Sequence, residues 1–241
     1  MTIEKFKSII NESNNIVFFG GAGVSTESNI PDFRSNTGLY TTGNNKKYSP
    51  EYMLSHGFFK NHTDEFFDFY KTKMIYKDAK PNTAHLALAE LENRGKLKAV
   101  ITQNIDWLHQ MAGSKNVLEL HGSVLRNYCT KCHKYFDLDY VIETSGTPQC
   151  DQCDSIVKPD VVLYEEGLDD DVVSRSLDYI QKADVLIIGG TSLSVYPAAS
   201  LVEYYRGNKL ILINKSATHF DSRALLQFNA SIGEVLSSIL S

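Results

Sequence analysis

The sequence lacks long apolar runs and any excess of basic residues. The longest apolar segments of its 241 residues lie around 185–188 and 210–213, far short of the roughly 20 residues that a membrane-spanning helix needs. It carries 24 Lys and Arg against 29 Asp and Glu, a net charge of −5, whereas proteins that bind nucleic acid or anionic membranes present a basic surface. We therefore expect no direct nucleic-acid partner and no membrane association.

The start of the sequence lacks the pattern of an export signal. Residues 1–8 contain no positive region followed by an apolar stretch. This absence predicts a cytoplasmic protein.

Cysteine is also scarce, and its few occurrences are clustered. Cys129, Cys132, Cys150 and Cys153 form two Cys-x2-Cys pairs separated by 17 residues. In a reducing compartment such clustering indicates metal ligation before disulfides. Two thiolate pairs close a tetrahedron around Zn²⁺ with no open position, which is typical of a structural site. The alternative is four unligated core cysteines, but their segment has little apolar content to join. We predict one structural zinc ion.

Short apolar runs alternate with segments of helical periodicity along most of the chain. The runs predicted as strands of one sheet occupy residues 16–19, 99–102, 161–163, 185–188 and 210–213. Alternating buried strands and helices imply a parallel sheet covered on both faces. The predicted fold class is therefore α/β, with a Rossmann-like doubly wound parallel sheet.

Two stretches interrupt this alternation. Residues 36–75 are polar and then aromatic, which suits a helical insert, and residues 126–157 contain all four cysteines. We predict that both leave the core to form a smaller lobe of one domain spanning 1–241. The larger lobe then consists of residues 1–35, 76–125 and 158–241.

A glycine-rich loop follows the first predicted strand. Gly21, Ala22 and Gly23 supply the first two glycines of the pattern G-x-G-x-x-G, and Thr26 stands at the third place. After a strand and before a predicted helix, such a loop lets a pyrophosphate approach backbone amides. A tight turn without ligand is the alternative. The loop continues through Asp32, Phe33 and Arg34, and chemically active residues in a loop more often serve ligands than packing.

Residues 21–34 resemble the first signature of the sirtuins, the NAD-dependent protein-lysine deacylases. The resemblance continues in family order through five further motifs and the cysteine pairs. These motifs are Thr-Gln-Asn-Ile-Asp at 102–106, Leu-Glu-Leu-His-Gly at 118–122, Lys-Pro-Asp-Val-Val at 158–162, Gly-Thr-Ser-Leu at 190–193 and Pro-Ala-Ala at 197–199. It covers residues 20 to about 214 and implies a bacterial-type deacylase, first of all a deacetylase.

The resemblance implies which residues contact NAD. Phe33 and Arg34 close over the nicotinamide ribose, Ile105 and Asp106 face the carboxamide, and Thr191 meets the adenosine. The complete expected set is Gly21, Ala22, Gly23, Thr26, Phe33, Arg34, Gln103, Asn104, Ile105, Asp106, His121, Gly190, Thr191, Ser192, Asn214 and Ile232. Several of these positions follow predicted strands, where open α/β sheets bind ligands. Strand-end turn and cap residues are the alternative for Asn, Asp and Thr.

The resemblance also implies the catalytic residues. His121 is expected to be the general base on the cofactor ribose, with Asn104 beside it. An imidazole with an ordinary pKa near 6.5 suits a base near neutral pH. Judged from spacing alone, His121 is more readily explained as a satisfied core or capping residue.

A peptide substrate is expected to add a β-strand along the segment that contains Val161, Val162, Tyr164 and Glu165. Two glycines of the sirtuin pattern are replaced in this chain. Glu165 replaces the glycine of the usual aromatic-Gly-Glu motif, and its side chain is expected to narrow the peptide cleft or change its charge. Asn29 stands in the first loop, and asparagine is a good substitute for glycine where φ is positive.

The sequence does not determine which acyl group on lysine is preferred. Tyr70 and Lys73 share a helical face, and some sirtuins that remove acidic acyl groups have Tyr-x-x-Arg in this region. Lysine is a poorer bidentate partner than arginine, so a solvated Lys73 is the simpler interpretation.

The reaction implied by the resemblance consumes NAD and an acylated lysine on a protein or peptide, and releases nicotinamide and O-acyl-ADP-ribose. A protein mono-ADP-ribosyltransferase is one alternative, since it shares NAD binding and nicotinamide loss. A non-catalytic, NAD-responsive binding module is a second alternative, although such a module needs no base at His121.

Overall fold

The computed structural model describes residues 2–33, 38–39 and 47–240. Its strands are β1 (Ile16–Gly20), β2 (Leu97–Thr102), β3 (Val117–Glu119), β4 (Gly122–Cys129), β5 (Tyr135–Phe136), β6 (Val157–Val161), β7 (Val185–Gly189), β8 (Leu210–Ile213) and β9 (Leu226–Phe228). Its α-helices are α1 (Thr2–Glu12), α2 (Pro50–Met53), α3 (His56–Asn61), α4 (Thr63–Lys73), α5 (Thr83–Asn93), α6 (Leu108–Met111), α7 (Leu138–Glu143), α8 (Asp170–Lys182) and α9 (Ile232–Ser237). Within this described part of the chain, no helix combines the length and apolarity needed to cross a membrane.

The larger sheet has six strands in the order β3-β2-β1-β7-β8-β9. Every neighbouring pair is parallel. Counted among themselves, these strands have the order 3-2-1-4-5-6 of dinucleotide-binding folds. The order reverses between β1 and β7, where Gly20 pairs with Gly189, and the crevice beyond these two carboxyl ends is where such sheets bind ligands.

The strands of the large sheet are buried on both faces. Along β1, Ile16 and Phe18 join the apolar core on one face, and Val17 and Phe19 join the core on the other. This division follows from the period of two along a strand. Helices α1, α5 and α9 cover the first face, whereas α8 and the 3₁₀ segment Ala198–Tyr204 cover the second. The predicted doubly wound architecture is confirmed.

The prediction that residues 161–163 form a strand of the large sheet is wrong. Strand β6 ends at Val161 and belongs to a separate antiparallel sheet with the order β5-β4-β6. Its residues alternate between buried and half-buried, with Lys158 and Asp160 on the less buried side. That alternation is typical of an antiparallel strand with one solvated face, whereas core parallel strands are buried throughout.

The helical insert packs on this second sheet through an aromatic core. Phe58, Phe66 and Tyr70 are fully buried and share one apolar cluster with Val124 and Val161. The strands of the second sheet reach beyond both limits predicted for the zinc module, 126 and 157. The division of the chain into lobes therefore stays a prediction in its details.

Candidate active site

A cavity of about 1110 Å³ lies at the carboxyl ends of β1, β2, β7 and β8 and continues between the two sheets. Every residue predicted to contact cofactor or substrate lines it, apart from one. The exception, Arg34, lies outside the described residues. Residues from eight separate stretches between Gly21 and Ile232 thus meet in one space, because parallel strands bring their following loops to the same edge of a sheet.

The glycine loop and the loop after β7 touch at the point where the strand order reverses. The Gly23 amide donates to the Gly190 carbonyl at 2.8 Å. A Cβ at Gly23 would lie 2.8 Å from atoms of Gly190, so a side chain there would separate the loops. Two 3₁₀ turns, Ala22–Val24 and Thr26–Ser28, occupy the place of the predicted helix. Asn29 ends them with φ of 62°, which confirms asparagine in the left-handed region.

Beneath this loop, three polar side chains form a buried hydrogen-bonded chain. Asn104 Nδ2 donates to Ser25 Oγ at 3.0 Å, and Ser25 Oγ donates to Asp106 Oδ2 at 2.6 Å. Asp106 Oδ1 also accepts from the Leu108 amide at 3.0 Å. Burial raises the pKa of the Asp106 carboxyl, although the hydrogen bond from Ser25 opposes that rise.

Ser25 is a site residue that the sequence reasoning did not identify. Its side chain is almost fully buried, and it joins two residues that lie some 80 positions away. Its only sequence signal is its place in the glycine loop, two residues after Gly23.

His121 occupies the short connection between β3 and β4, and its orientation is fixed by backbone. Its Nδ1 lies 2.9 Å from the Gln103 carbonyl oxygen. Donation from Nδ1 to that carbonyl leaves Nε2 as the unprotonated nitrogen. Burial lowers the pKa of His121, and the bond to Gln103 offsets part of that effect. The imidazole is therefore neutral near pH 7, which a general base requires.

The side chain of Gln103 serves the loop architecture. Its Nε2 lies 3.1 Å from Thr191 Oγ1 and 3.4 Å from the Gly20 carbonyl, so it bridges the ends of β1 and β7. Thr191 in turn donates its amide to Asn214 Oδ1 at 3.0 Å. These contacts connect the loops that follow β1, β2, β7 and β8.

The predicted substrate segment runs beside His121. The Val162 amide donates to the His121 carbonyl at 3.0 Å, and Tyr164 is one-third exposed at the cavity wall. Glu165 adopts φ of 75°, a left-handed conformation that few residues other than glycine favour.

Tyr70 and Lys73 do not face the cavity together. Lys73 is exposed and lines it, whereas Tyr70 lies in the apolar core of the helical insert. The Tyr70 hydroxyl has no hydrogen-bond partner in the described structure, and burial raises its pKa. This arrangement favours a solvated Lys73 over a Tyr-Lys pair that reads an acidic acyl group.

The four cysteine sulfurs gather at the end of the second sheet, and none of them lines the cavity. All Sγ atoms lie within 4.8 Å of one another, with Cys129 to Cys153 at 3.4 Å and Cys132 to Cys150 at 3.6 Å. Zn–S bonds of about 2.3 Å place tetrahedral sulfurs roughly 3.8 Å apart, so the cluster fits a zinc ion. Backbone amides of Lys131 and Gln152 point at the sulfurs, as expected for thiolates.

Comparison with known proteins identifies the family. A model of the Sir2 family matches residues 21–197. An NAD-dependent protein deacetylase of Clostridium acetobutylicum is 65% identical over 239 residues, which cover 99% of this chain and 98% of that protein. The chain belongs to the Sir2 family. The sirtuin resemblance of the motifs is thereby confirmed.

Further Sir2 relatives agree over the whole chain. An NAD-dependent protein deacetylase of Clostridium tetani is 64% identical over 240 residues, covering 99% of this chain and 97% of that protein. A solved Sir2 structure with deacetylated peptide and 3′-O-acetyl ADP ribose matches with a TM-score of 0.90 at 40% identity, covering 100% of this chain and 98% of that one. A Sir2 structure bound to a propionylated peptide matches with a TM-score of 0.87 at 39% identity and the same coverage.

Proposed function

We propose that this protein is an NAD-dependent protein-lysine deacylase, and first of all a deacetylase, that acts on acylated proteins or peptides. The observation that carries this conclusion is the convergence of the glycine loop, the Asn104–Ser25–Asp106 chain, His121 and the substrate segment on one cavity. Two NAD-dependent protein deacetylases that are 65% and 64% identical to this chain, each over 99% of its length, support the same reaction.

NAD is held along the carboxyl edge of the large sheet. The backbone of residues 21–26 receives the diphosphate, since this loop lines the cavity and its glycines let it lie against the loop after β7 without side chains between them. Thr191, Asn214 and Ile232 line the part of the cavity at the ends of β7 and β8, which suits the adenosine. When bound, NAD supplies the ADP-ribose that accepts the acyl group and nicotinamide as the leaving group.

The polar chain behind the loop orients the nicotinamide end. Asp106 is held by Ser25 and by the Leu108 amide, so its carboxylate is fixed before any ligand arrives. Phe33 lines the cavity and packs against the apolar cluster of the helical insert, where it excludes water from the reacting centre. Arg34 is proposed to assist this closure.

His121 is the general base. The Gln103 carbonyl holds Nδ1, so Nε2 is available to take a proton from a ribose hydroxyl. Asn104 shares the same wall and is anchored by Ser25. The paired strands β2 and β3 lead directly into Asn104 and His121 and place them side by side.

The zinc module supports the second sheet at a distance from the cavity. Because Cys129 ends β4 and pairs with Val157, a zinc ion held by the four thiolates would fix the start of β6, the strand that leads into the substrate segment. We also infer a cytoplasmic location, since cysteines clustered for metal binding rather than for disulfides are typical of reducing compartments.

One experiment tests the function. The purified protein is incubated with NAD and matched peptides that carry unmodified, acetylated or succinylated lysine, while nicotinamide release and peptide mass are followed together. We expect acyl-dependent nicotinamide release with equal loss of acyl mass, and a loss of about 10² to 10⁴ in rate for His121→Ala. Trp107, the only tryptophan of the chain, lines the cavity and reports NAD binding by fluorescence.

Each other outcome contradicts the proposal. Label from NAD that remains on protein, without deacylation, indicates the mono-ADP-ribosyltransferase. A fluorescence change with NAD but no turnover of any peptide indicates the binding module. Full activity in His121→Ala refutes the assignment of the base.

A further inference from the structure

The substrate segment is attached to the helical insert by a parallel pair of backbone hydrogen bonds. The Tyr164 amide donates to the Leu54 carbonyl at 3.0 Å, and the His56 amide donates to the Tyr164 carbonyl at 2.9 Å. Tyr164 therefore has both backbone groups committed to residues 54–56. We call the contact between residues 54–57 and 164–166 the cleft clamp.

Two carboxylates extend the cleft clamp. Glu165 Oε2 accepts from the Gly57 amide at 2.9 Å. Glu166 Oε1 lies 2.9 Å from His56 Nδ1, and its Oε2 lies 3.1 Å from Lys158 Nζ. Against the effect of burial, the Leu163 amide that donates to Oε2, the hydrogen bond with His56 and the charge of Lys158 together lower the pKa of the Glu166 carboxyl. Both glutamates therefore reach the insert, but Glu166 bonds to the His56 side chain and also to Lys158 and the Leu163 amide, whereas Glu165 bonds to a backbone amide of α3.

The conformation of Glu165 is the unusual part of this arrangement. Its φ of 75° is unfavourable for a residue with a side chain, and the sirtuin pattern has glycine there. Its carboxylate is directed onto Gly57, where a Cβ would lie only 3.2 Å from Oε2. Gly57 is the second residue of α3, so its amide has no partner within the helix. The side chain that strains the loop therefore also supplies its attachment.

The cleft clamp and His121 hold the two ends of the same short segment. The Val162 amide is bonded to the His121 carbonyl, and two residues later Tyr164 is bonded to the insert. A peptide that pairs with this segment needs its backbone groups at fixed positions relative to the imidazole. A loop with glycine at 165 would have more freedom at that end.

We propose that Glu165 is a positioning residue for the acylated peptide, acting through its carboxylate on the Gly57 amide. The proposal rests on the proposed deacylase function. It differs from the expectation that Glu165 narrows or recharges the cleft, because it assigns the effect to a hydrogen bond rather than to charge or bulk.

Three substitutions separate these effects. Glu165→Gln keeps an acceptor for Gly57 without the charge, Glu165→Ala keeps the strain without an acceptor, and Glu165→Gly removes both. Glu203→Ala is the control, since Glu203 is exposed and does not line the cavity. For each variant, the KM for acetylated peptide, the KM for NAD and kcat are measured, together with amide hydrogen exchange of residues 157–166.

We expect the peptide KM to rise about three- to tenfold in Glu165→Ala and Glu165→Gly and to stay within about twofold in Glu165→Gln. The KM for NAD and kcat change little, and exchange at residues 162–166 quickens only where the acceptor is lost. Glu165→Gly has a higher melting temperature than Glu165→Ala, because glycine relieves the left-handed strain.

Three results would contradict only the positioning role of Glu165, and a fourth would also contradict the deacylase function. An unchanged peptide KM in Glu165→Ala, or an equal rise in Glu165→Gln, overturns the positioning role while leaving the deacylase function intact. An equal rise in the KM for NAD overturns it as well. A wild-type protein that binds and turns over no acylated peptide refutes the deacylase function, and the positioning role with it.

Discussion

Substituting Gly122 tests how closely the second sheet packs beside His121, the proposed catalytic base. Gly122 follows His121, has φ of 76°, and begins β4. A Cβ there would lie 1.9 Å from the Asp160 carbonyl oxygen, more than 1 Å closer than Cβ atoms are found to such neighbours in proteins. Gly122→Ala therefore combines left-handed strain at residue 122 with a clash between its Cβ and the Asp160 backbone. To relieve the clash, β4 or β6 must shift, and either shift displaces His121 or the substrate segment.

The expected cost follows from these two effects. The left-handed conformation costs alanine about 1 kcal/mol. The clash, which forces β4 and β6 apart, adds about 1–3 kcal/mol, as other overpacked positions do. We expect the free energy of unfolding to fall by about 2–4 kcal/mol in total. The deacetylation rate of the folded variant is also expected to fall, because the Val162 amide that bonds to the His121 carbonyl follows β6 directly.

Gly95→Ala is the matched control. Gly95 has φ of 71°, and nothing lies within 4 Å of a Cβ placed there, so this variant has the strain without the clash. Urea unfolding of both variants, with comparison of midpoints at equal m-values, gives the difference. If Gly122→Ala is no more destabilised than Gly95→Ala and keeps full deacetylation, the close packing of β4 on β6 is not what holds His121 in place.

Three further predictions concern pH and zinc. The kcat/KM for acetylated peptide falls as pH drops through the pKa of His121, which burial places below 6.5, and an acid limb centred above 6.5 in the pH–rate profile contradicts this. Burial lowers the pKa of His85 to about 4, so as the pH falls the unfolded state takes up the proton before the folded state does. The free energy of unfolding therefore keeps this contribution above pH 6.5 and loses about 3 kcal/mol towards pH 4. Urea midpoints measured across this range are expected to fall less in His85→Gln. Chelation lowers the melting temperature without competing with NAD, and elemental analysis giving well below one zinc per chain refutes the structural site.

Much of the site was predictable because its chemistry depends on local spacing. Two Cys-x2-Cys pairs specify a tetrahedral thiolate site wherever the turns lie, and the four sulfurs do gather. The loops after β1, β2, β7 and β8 carry the cofactor motifs, and parallel strands place the ends of such loops together. The left-handed conformation of Asn29 was predictable as well, because it depends on residue type and on the local backbone alone.

Only the tertiary structure decided the contacts between distant segments. Strand β6 looked like part of the large sheet until its pairing with β4 was known, since an apolar run does not reveal its partner. Ser25 bonds to Asn104 and Asp106, and Glu165, while it still lines the cavity, bonds to the Gly57 amide. The sequence by itself determined the family, the fold class and the residues that converge on the cavity, because residue type and spacing control those features. Which groups hold the site in place was decided where distant segments meet, because hydrogen bonds across more than 70 residues exist only after the chain has folded.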